Sequence, residues 1–262
     1  MTTRTLFVKA SSPRQKRQVA DMLRRPFEAL GVTVAVVGTI ADRWVQVDIS
    51  GEDAAVATNY LVKEFGFCPT TTENLMKDGE VKGYIVDLGK SAEEIHVDIG
   101  VFQPSVVYAV VSLRSLQEQL VGGNKLALKK IVELFGFCND LPLNLEITET
   151  NGAAVTTGNH RQAKLSVTQI ERFVSWQESL LDRLIVLGAS HHEIKKTLNM
   201  MGLNRDVIAV EPLGTFEYAL TCKLGTDAAG LIKNIGRKLK HATFTVFNPR
   251  KIRQFRTFTP LT

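Results

Sequence analysis

The segments EVKGYIVDL (residues 80–88) and EEIHVDIGV (residues 93–101) each alternate between apolar and polar side chains. Alternation with a period of two is typical of a β-strand that has one face buried and the other facing solvent. The four residues between the segments, GKSA (89–92), include a glycine and a serine that favour a turn. The stretch 80–101 therefore predicts a β-hairpin, and this hairpin decides the fold class of the central part of the chain.

Further short strands are predicted after this hairpin. Strand-like runs occur at 106–113, 143–150 and 153–157. Asn151-Gly152 lies between the last two runs, and Asn-Gly in that position is a strong hairpin signal. Five short strands with a helix predicted over 126–134 favour a small closed β-barrel of the OB type. We assign this barrel to residues 73–165.

The segments on either side of the barrel share one order of predicted elements: strand, helix, strand, strand, helix. In residues 1–72 the first helix begins at Ser12, and Pro26 predicts a kink or an early end. In residues 166–262 the sequence SHHE (190–193) has the capping-box pattern that begins a helix. The chain is therefore predicted to be α+β, with two ferredoxin-like α/β halves flanking the barrel. A duplication and a shared strand–cap–helix pattern both account for the similarity of the halves.

The positive charge of the chain is concentrated at its C-terminal end. Residues 166–262 carry fourteen basic and eight acidic side chains, whereas residues 71–165 carry nine and twelve. The last thirty-five residues hold eight Lys or Arg, no Asp or Glu, and four phenylalanines. Cations pair with phosphates and aromatic rings stack on bases, so this composition favours a polyanion with exposed bases over a membrane. A solvated helix face followed by a core strand is the alternative interpretation.

The predicted elements restrict the candidate binding surface in this region to one helix face and the short segment that follows the closing strand. Residues up to Phe247 belong to the last helix and the closing strand, so several of the aromatic side chains are expected in the core. The flank that follows contains Phe258 as a further aromatic residue. The candidate RNA-binding residues are Lys233, Arg237, Lys238, Lys240, Arg250, Lys251, Arg253, Arg256 and Phe255.

Other patterns argue against several classes of protein. The longest nearly apolar stretch, 32–41, is shorter than the ~20 residues of a membrane-spanning helix. The N-terminal segment has no apolar run of signal-peptide length, which predicts a cytoplasmic protein. The three cysteines are scattered singly, so neither a disulfide framework nor a structural zinc site is expected. The sequence contains neither a Walker-type loop nor a dinucleotide-binding glycine motif, and no cofactor or metal is expected.

Three groups of residues are candidates for a metal-binding, catalytic or phosphate-binding site. His191 and His192 lack the i, i+4 spacing that places two metal ligands on one helix face. Asp87 and Asp98 come from neighbouring predicted strands, where a carboxylate pair would support acid–base chemistry or a magnesium site. An acidic barrel loop without chemistry is the alternative. The segment GTDAAG (225–230) offers helix amides to a phosphate, but its own aspartate would repel an anion, so helix capping is favoured.

Several segments resemble known families. GYIVDLG (83–89), EEIHVDIGV (93–101) and YAVVSLRSLQEQL (108–120) are similar to the RNA-binding OB barrels of ribosomal and RNA-processing proteins, in which the third strand runs into a short polar helix. LIVLGASHHEIKKTL (184–198), CKLGTDAAGLIKNIG (222–236) and TVFNPRKI (245–252) resemble a family of archaeal proteins of unknown function. This second resemblance covers nearly the whole chain. It implies the architecture and an archaeal origin, and the gene neighbours of that family favour a role in information processing.

Three hypotheses of function follow. The first is a non-catalytic RNA-binding protein of the translation or RNA-processing machinery, whose basic C-terminal domain binds the phosphates of ribosomal or transfer RNA. The second is a protein-interaction module that docks on the archaeal transcription or translation apparatus, with the ribosome and RNA polymerase as candidate partners. The third is an RNA-modifying or hydrolytic enzyme without a recognisable motif. We favour the first hypothesis. The acidic residues of 71–165 argue against a barrel that binds RNA over its whole face.

Overall fold

The computed structural model describes residues 1–77, 79–148 and 159–255 of the 262-residue chain. The chain divides into two compact units of mixed α+β structure. The first unit comprises Met1–Met76 with Gly100–Val106, and the second comprises Lys77–Ile99 with Val107–Thr262. None of the helices in the described ranges combines the length and the apolar character that crossing a bilayer requires.

The first unit contains a three-stranded antiparallel sheet, in the order β1–β3–β2, and two α-helices. Ser12 caps α1 as predicted, because its side chain accepts a hydrogen bond from the Gln15 amide. Pro26 lies in the last turn of α1, and the helix ends one residue later, in agreement with the early end that a proline predicts. The elements are β1 (Thr2–Lys9), α1 (Pro13–Phe27), β2 (Val32–Ile40), β3 (Trp44–Gly51), α2 (Ala54–Glu64) and β4 (Thr70–Thr71).

Five short strands form a closed barrel, which confirms the barrel predicted for the middle of the chain. They are β5 (Glu80–Val86), β6 (Glu94–Gln103), β7 (Val107–Ser112), β8 (Pro142–Ile147) and β9 (His160–Leu165). The hydrogen-bonded order is β6–β5–β8–β9–β7, and a pairing between β6 and β7 closes the ring. Ile85, Val97 and Leu145 are completely buried, so apolar positions of the alternating segments form the interior. The hairpin predicted around Asn151-Gly152 lies outside the described residues.

Two helices, α3 (Leu113–Val121) and α4 (Leu128–Phe135), lie between β7 and β8. The helix predicted over 126–134 is α4, and the polar helix that follows the third strand is α3. Each helix ends at a glycine, Gly122 or Gly136, that adopts the left-handed conformation with φ of 61° or 65°. Glycine is favoured at such a helix end because it has no Cβ to clash there.

The rest of the chain forms a four-stranded antiparallel sheet in the order β11–β12–β10–β13, together with helices. Its elements are α5 (Val167–Glu178), β10 (Arg183–Leu187), α6 (His191–Met200), β11 (Val207–Pro212), β12 (Glu217–Cys222), α7 (Ala228–Lys238), β13 (Thr243–Phe247) and α8 (Pro249–Arg253). The predicted capping box at the start of α6 is confirmed. The sequence patterns do not predict β9, α5 or α8.

Within the second unit, a cluster of buried aromatic side chains connects α4, which lies between barrel strands β7 and β8, to the last strand. Phe247 of β13 is completely buried. Its ring centroid lies 6.0 Å from that of Phe135 on α4, 6.1 Å from that of Phe173 and 5.1 Å from that of Trp176, both on α5. Phe247 is therefore a core residue, as expected, and is not available to stack on a base.

Candidate nucleic-acid interface

The predicted basic helix face lies on α7. Buried residues of this helix recur every three or four positions, and they are Ala228, Leu231 and Ile235. Lys233 and Arg237 are spaced i, i+4 on the opposite side, so packing of the apolar residues turns both cations to solvent. The exposed cations of this segment are Lys233, Arg237, Lys238 and Lys240.

The rest of the candidate surface lies on the five-residue helix α8. Asn248 caps this helix, since its side chain accepts a hydrogen bond from the Lys251 amide. Pro249 and Ile252 are buried, and α8 packs against α4 and α5. The buried positions turn the other side chains outward. The exposed cations of this helix are Arg250, Lys251 and Arg253.

Phe255 is half-buried beside the barrel insertion. The Nζ of Lys130 lies 5.9 Å from the centroid of its ring. The Phe255 carbonyl accepts a hydrogen bond of 2.5 Å from the side-chain amide of Asn124. One face of the ring is therefore covered by a cation of α4. The predicted residues Arg256 and Phe258 lie outside the described residues.

A surface cleft of about 250 Å³ contains one of the candidate residues, Arg250, together with the acidic residues Asp182 and Asp227. Arg250 of α8 and Lys223, which precedes α7, both line this cleft. Arg250 is thereby placed near the N-terminal end of α7. Lys238 and Lys240 lie at and beyond the other end of this eleven-residue helix, ~16 Å away along its axis. The predicted cations therefore form two groups, one at each end of α7, with Lys233 between them.

The N-terminal amides of α7 are already hydrogen-bonded to carboxylates. Asp227 accepts hydrogen bonds from the Ala229 amide at 3.1 Å and from the Gly230 amide at 2.9 Å. Asp182 accepts one from the Ala228 amide, which holds down the pKa of this carboxyl while burial, the larger effect, raises it. Helix capping is therefore confirmed for the segment 225–230, and carboxylates occupy the place that a phosphate would take.

The charge of the candidate surface is not balanced by ion pairs. Within the part of the chain that the structure describes, none of its seven Lys and Arg side chains lies within 4.0 Å of an acidic oxygen. Two further cations of α4, Lys129 and Lys130, extend the surface beyond the residues that were predicted. Lys130 lies 3.1 Å from Glu133 and lowers the pKa of this carboxyl, and Lys251 and Lys129 act in the same direction. The spacing of apolar residues in α4 predicts that these lysines face solvent. Their position beside α8 could not be predicted from the sequence.

The hypothetical carboxylate pair in the barrel does not form. Asp98 is opposite Tyr84 in the β5–β6 register and is buried. Asp87 lies beyond the end of β5 in a left-handed turn, with φ of 54°, and its carboxylate is 2.8 Å from the Nζ of Lys90. The hypothesis of a paired acid and base at these positions is therefore wrong, because the strand ends before Asp87.

The other reactive side chains are also accounted for. His191 stacks on Tyr218, with ring centroids 5.6 Å apart, at the first turn of α6. Burial raises the pKa of the Cys138 thiol to about 12 and that of the Cys222 thiol to about 11, so neither forms a nucleophilic thiolate readily. Among the described residues, no three His, Cys, Asp or Glu side chains are grouped so that they could hold a metal ion.

One acidic group is enclosed between β5 and the start of β12. Glu217 is 5% exposed, and its carboxylate accepts hydrogen bonds from the Phe216 amide at 3.2 Å and from the Tyr84 hydroxyl at 3.5 Å. Burial raises the pKa of Glu217 to about 7, although these hydrogen bonds and Lys82 act against the rise. A Cβ at Gly214 would collide with the carboxylate, so the loop lies directly over it. A carboxyl enclosed in this way affects stability and has no access to a dissolved substrate.

Comparison with protein families accounts for most of the chain. The DUF2110 N-terminal domain matches residues 1–71, the DUF2110 central domain matches residues 75–177, and the DUF2110 C-terminal domain matches residues 181–247. The chain therefore belongs to the DUF2110 family, whose function is unknown. A search of curated proteins found no match.

Proposed function

We propose that this protein is a non-catalytic RNA-binding protein of the translation or RNA-processing machinery, which binds phosphates through its basic C-terminal surface. The observation that carries the proposal is the set of seven exposed Lys and Arg side chains, none of which has an acidic oxygen within 4.0 Å among the described residues. Exposed cations attract a polyanion and displace its counterions on contact. Lys129 of α4 adds to this positive surface, whereas Glu133 offsets the charge of Lys130.

Contacts to phosphates should outweigh contacts to bases. Phe247 belongs to the core, and Phe255 is half-buried with Lys130 over its ring. Among the described residues of this region, few aromatic faces are therefore free to stack on bases. Phosphate contacts carry no sequence information by themselves, so binding should depend steeply on salt and weakly on RNA sequence.

Binding of a fluorescein-labelled single-stranded RNA of mixed sequence, followed by anisotropy at several salt concentrations, tests the proposal. The variant R250A/K251A/R253A removes three charges and keeps Asn248 and Ile252, which hold α8 in place. Each lost phosphate contact lowers the slope of log affinity against log salt by about 0.7, so the slope should fall by about 2. An unchanged slope and affinity would contradict the proposal.

A matched control removes three exposed cations elsewhere, in the variant K63Q/K90Q/R114Q. This variant should bind the RNA as the wild type does. Crosslinking in the native host, with identification of both RNA and protein partners, is the complementary measurement. If no RNA is recovered and the α8 variant binds as the wild type does, the RNA proposal fails. An acidic protein recovered in its place would favour an interaction module.

The topology supports a finer description of the domains. In residues 166–262, the elements β10–α6–β11–β12–α7–β13 and the strand order β11–β12–β10–β13 support a ferredoxin-like domain. Residues 1–72 would supply the first five elements of a similar half. The strand order of the barrel supports an OB-type assignment for residues 73–165. The archaeal origin and the cytoplasmic location stay predictions from the sequence.

A further inference from the structure

Helix α1 of the first unit is strongly basic. Its fifteen residues, PRQKRQVADMLRRPF, contain five Lys or Arg and one Asp. Val19, Leu23 and Phe27 are spaced by four residues and are buried, so they form the face that packs into the unit. The solvent face therefore carries the charge.

Four arginines lie on one stripe of this helix. At about 100° per residue, positions 14, 17, 24 and 25 fall within an arc of about 100° that lies away from the buried residues. The stripe extends ~16 Å along the helix axis, from position 14 to position 25. Arg17, Arg24 and Arg25 are exposed, and Arg14 is partly exposed. We refer to Arg14, Arg17, Arg24 and Arg25 as the arginine stripe.

The acidic residues nearby do not neutralise the stripe. Asp21 lies 3.3 Å from Arg24, but both side chains are about two-thirds exposed, so this pair is weak. Glu28 follows the end of the helix on the same side. Within the described ranges, Arg17 and Arg25 have neither an ion pair nor a hydrogen bond to their side chains. The stripe thus keeps an excess of positive charge.

The stability of the helix does not explain these charges. A helix N-terminus carries a partial positive charge, so acidic side chains stabilise the first turn and basic ones destabilise it. The first turn of α1 contains Arg14 and Lys16 and no acidic residue, and Arg17 follows directly. Arg24 and Arg25, in the last turn, have the favourable sign. The cations at the start of the helix are therefore placed against its dipole, so they do not stabilise α1.

We infer that the arginine stripe is a second binding surface for the phosphates of RNA, and this inference rests on the function proposed above. Arginine binds phosphate oxygens in a bidentate manner and is favoured for nucleic-acid recognition over lysine. A membrane surface fits less well, because a helix that binds membranes presents an apolar face outward. Here the apolar face is buried in the unit, and Met22, 36% exposed, is the large apolar side chain that α1 leaves accessible.

The test compares R17Q/R24Q/R25Q with the control K63Q/K90Q/R114Q, each in the 262-residue chain. Both variants lose three exposed cations, so their net charge is the same. The probe is the labelled single-stranded RNA. Its affinity is measured at salt concentrations between about 0.05 and 0.5 M, so that the slope of log affinity against log salt can be determined. For the stripe variant, we expect the slope to fall by about 2 and the affinity at 0.1 M salt to fall about a hundredfold. The control should retain the wild-type values.

The outcomes separate the two proposals. If the wild type binds RNA and the stripe variant binds as the control does, the inference about α1 is overturned and the proposed function stands. If the wild type binds no RNA at any salt concentration, the proposed function fails, and the inference fails with it. Loss of binding to an acidic polypeptide such as polyglutamate, with RNA binding unchanged, would assign the stripe to a protein partner and also overturn the inference. Circular dichroism and urea unfolding of each variant compare its total helix content and stability with those of the wild type.

Discussion

Replacement of Glu217 by Gln should make the protein more stable at neutral pH. In the native state this carboxyl is enclosed under Gly214, with Tyr84 and the Phe216 amide as hydrogen-bond donors. Burial raises its pKa from 4.5 to about 7. The folded protein therefore favours the protonated, neutral form, whereas the unfolded chain ionises near pH 4.5.

The sign and size of the effect follow from this difference in pKa. The stability that Glu217 contributes is fully present below pH 4.5 and is lost as the pH rises through 7. At 1.36 kcal/mol for each tenfold change in proton affinity, the loss amounts to about 3 kcal/mol. Glutamine has nearly the same shape and no charge, so E217Q should lack this loss. The variant should match the wild type near pH 4.5 and exceed it by about 3 kcal/mol above pH 7.5.

Urea unfolding of wild type and E217Q at pH 4.5, 6 and roughly 7.5 measures this difference in the free energy of unfolding. The matched control is E118Q, because the Glu118 side chain is 59% exposed and pairs with Arg114 on the surface. The control should change stability by less than about 1 kcal/mol at every pH. A difference between E217Q and wild type that is the same at all three pH values would contradict a raised pKa for Glu217 in the folded protein.

Two further predictions concern the packing that holds the candidate surface. Phe247→Ala should destabilise the protein by about 3–5 kcal/mol in urea unfolding, because it empties the centre of the aromatic core, and a loss below about 1 kcal/mol would contradict that position. Asp227→Ala should cost about 1 kcal/mol through loss of the α7 cap, whereas Asp227→Asn, whose single side-chain oxygen can still accept a capping hydrogen bond, should cost less. Equal losses for both Asp227 variants would show that its charge, and not capping, is what matters.

Most elements of the fold could be predicted from local patterns. The alternation in 80–88 and 93–101 predicts β5 and β6, and the SHHE capping box predicts the start of α6. The five-residue helix α8 was missed because one and a half turns are too short for a helical period to repeat. Its form depends on Asn248 as a cap and on burial of Ile252 against helices from other parts of the chain.

Only part of the candidate surface could be predicted, because local patterns show which residues are exposed but not which segments come together. The exposure of Lys233 and Arg237 follows from the apolar spacing of α7, which the sequence shows directly. Lys130 could not be assigned to the same surface, because it lies more than a hundred residues before α8 in the chain. The sequence also shows that the segment of α1 is basic. That the arginine stripe faces solvent could be established only from the structure, which shows which face of α1 is buried.

Local sequence patterns were enough to locate most strands and helices and the region where positive charge is concentrated. Backbone geometry imposes periods of 2 and 3.6 on any strand or helix, so these features are local and leave a pattern in the residues. Three properties became visible in the folded chain alone: Asp87 and Asp98 do not pair, Phe247 lies in the core, and Glu217 is enclosed beneath a loop. These properties depend on strand register and on contacts between segments far apart in the chain. Such contacts are sums of many small packing and electrostatic energies, which no local pattern records.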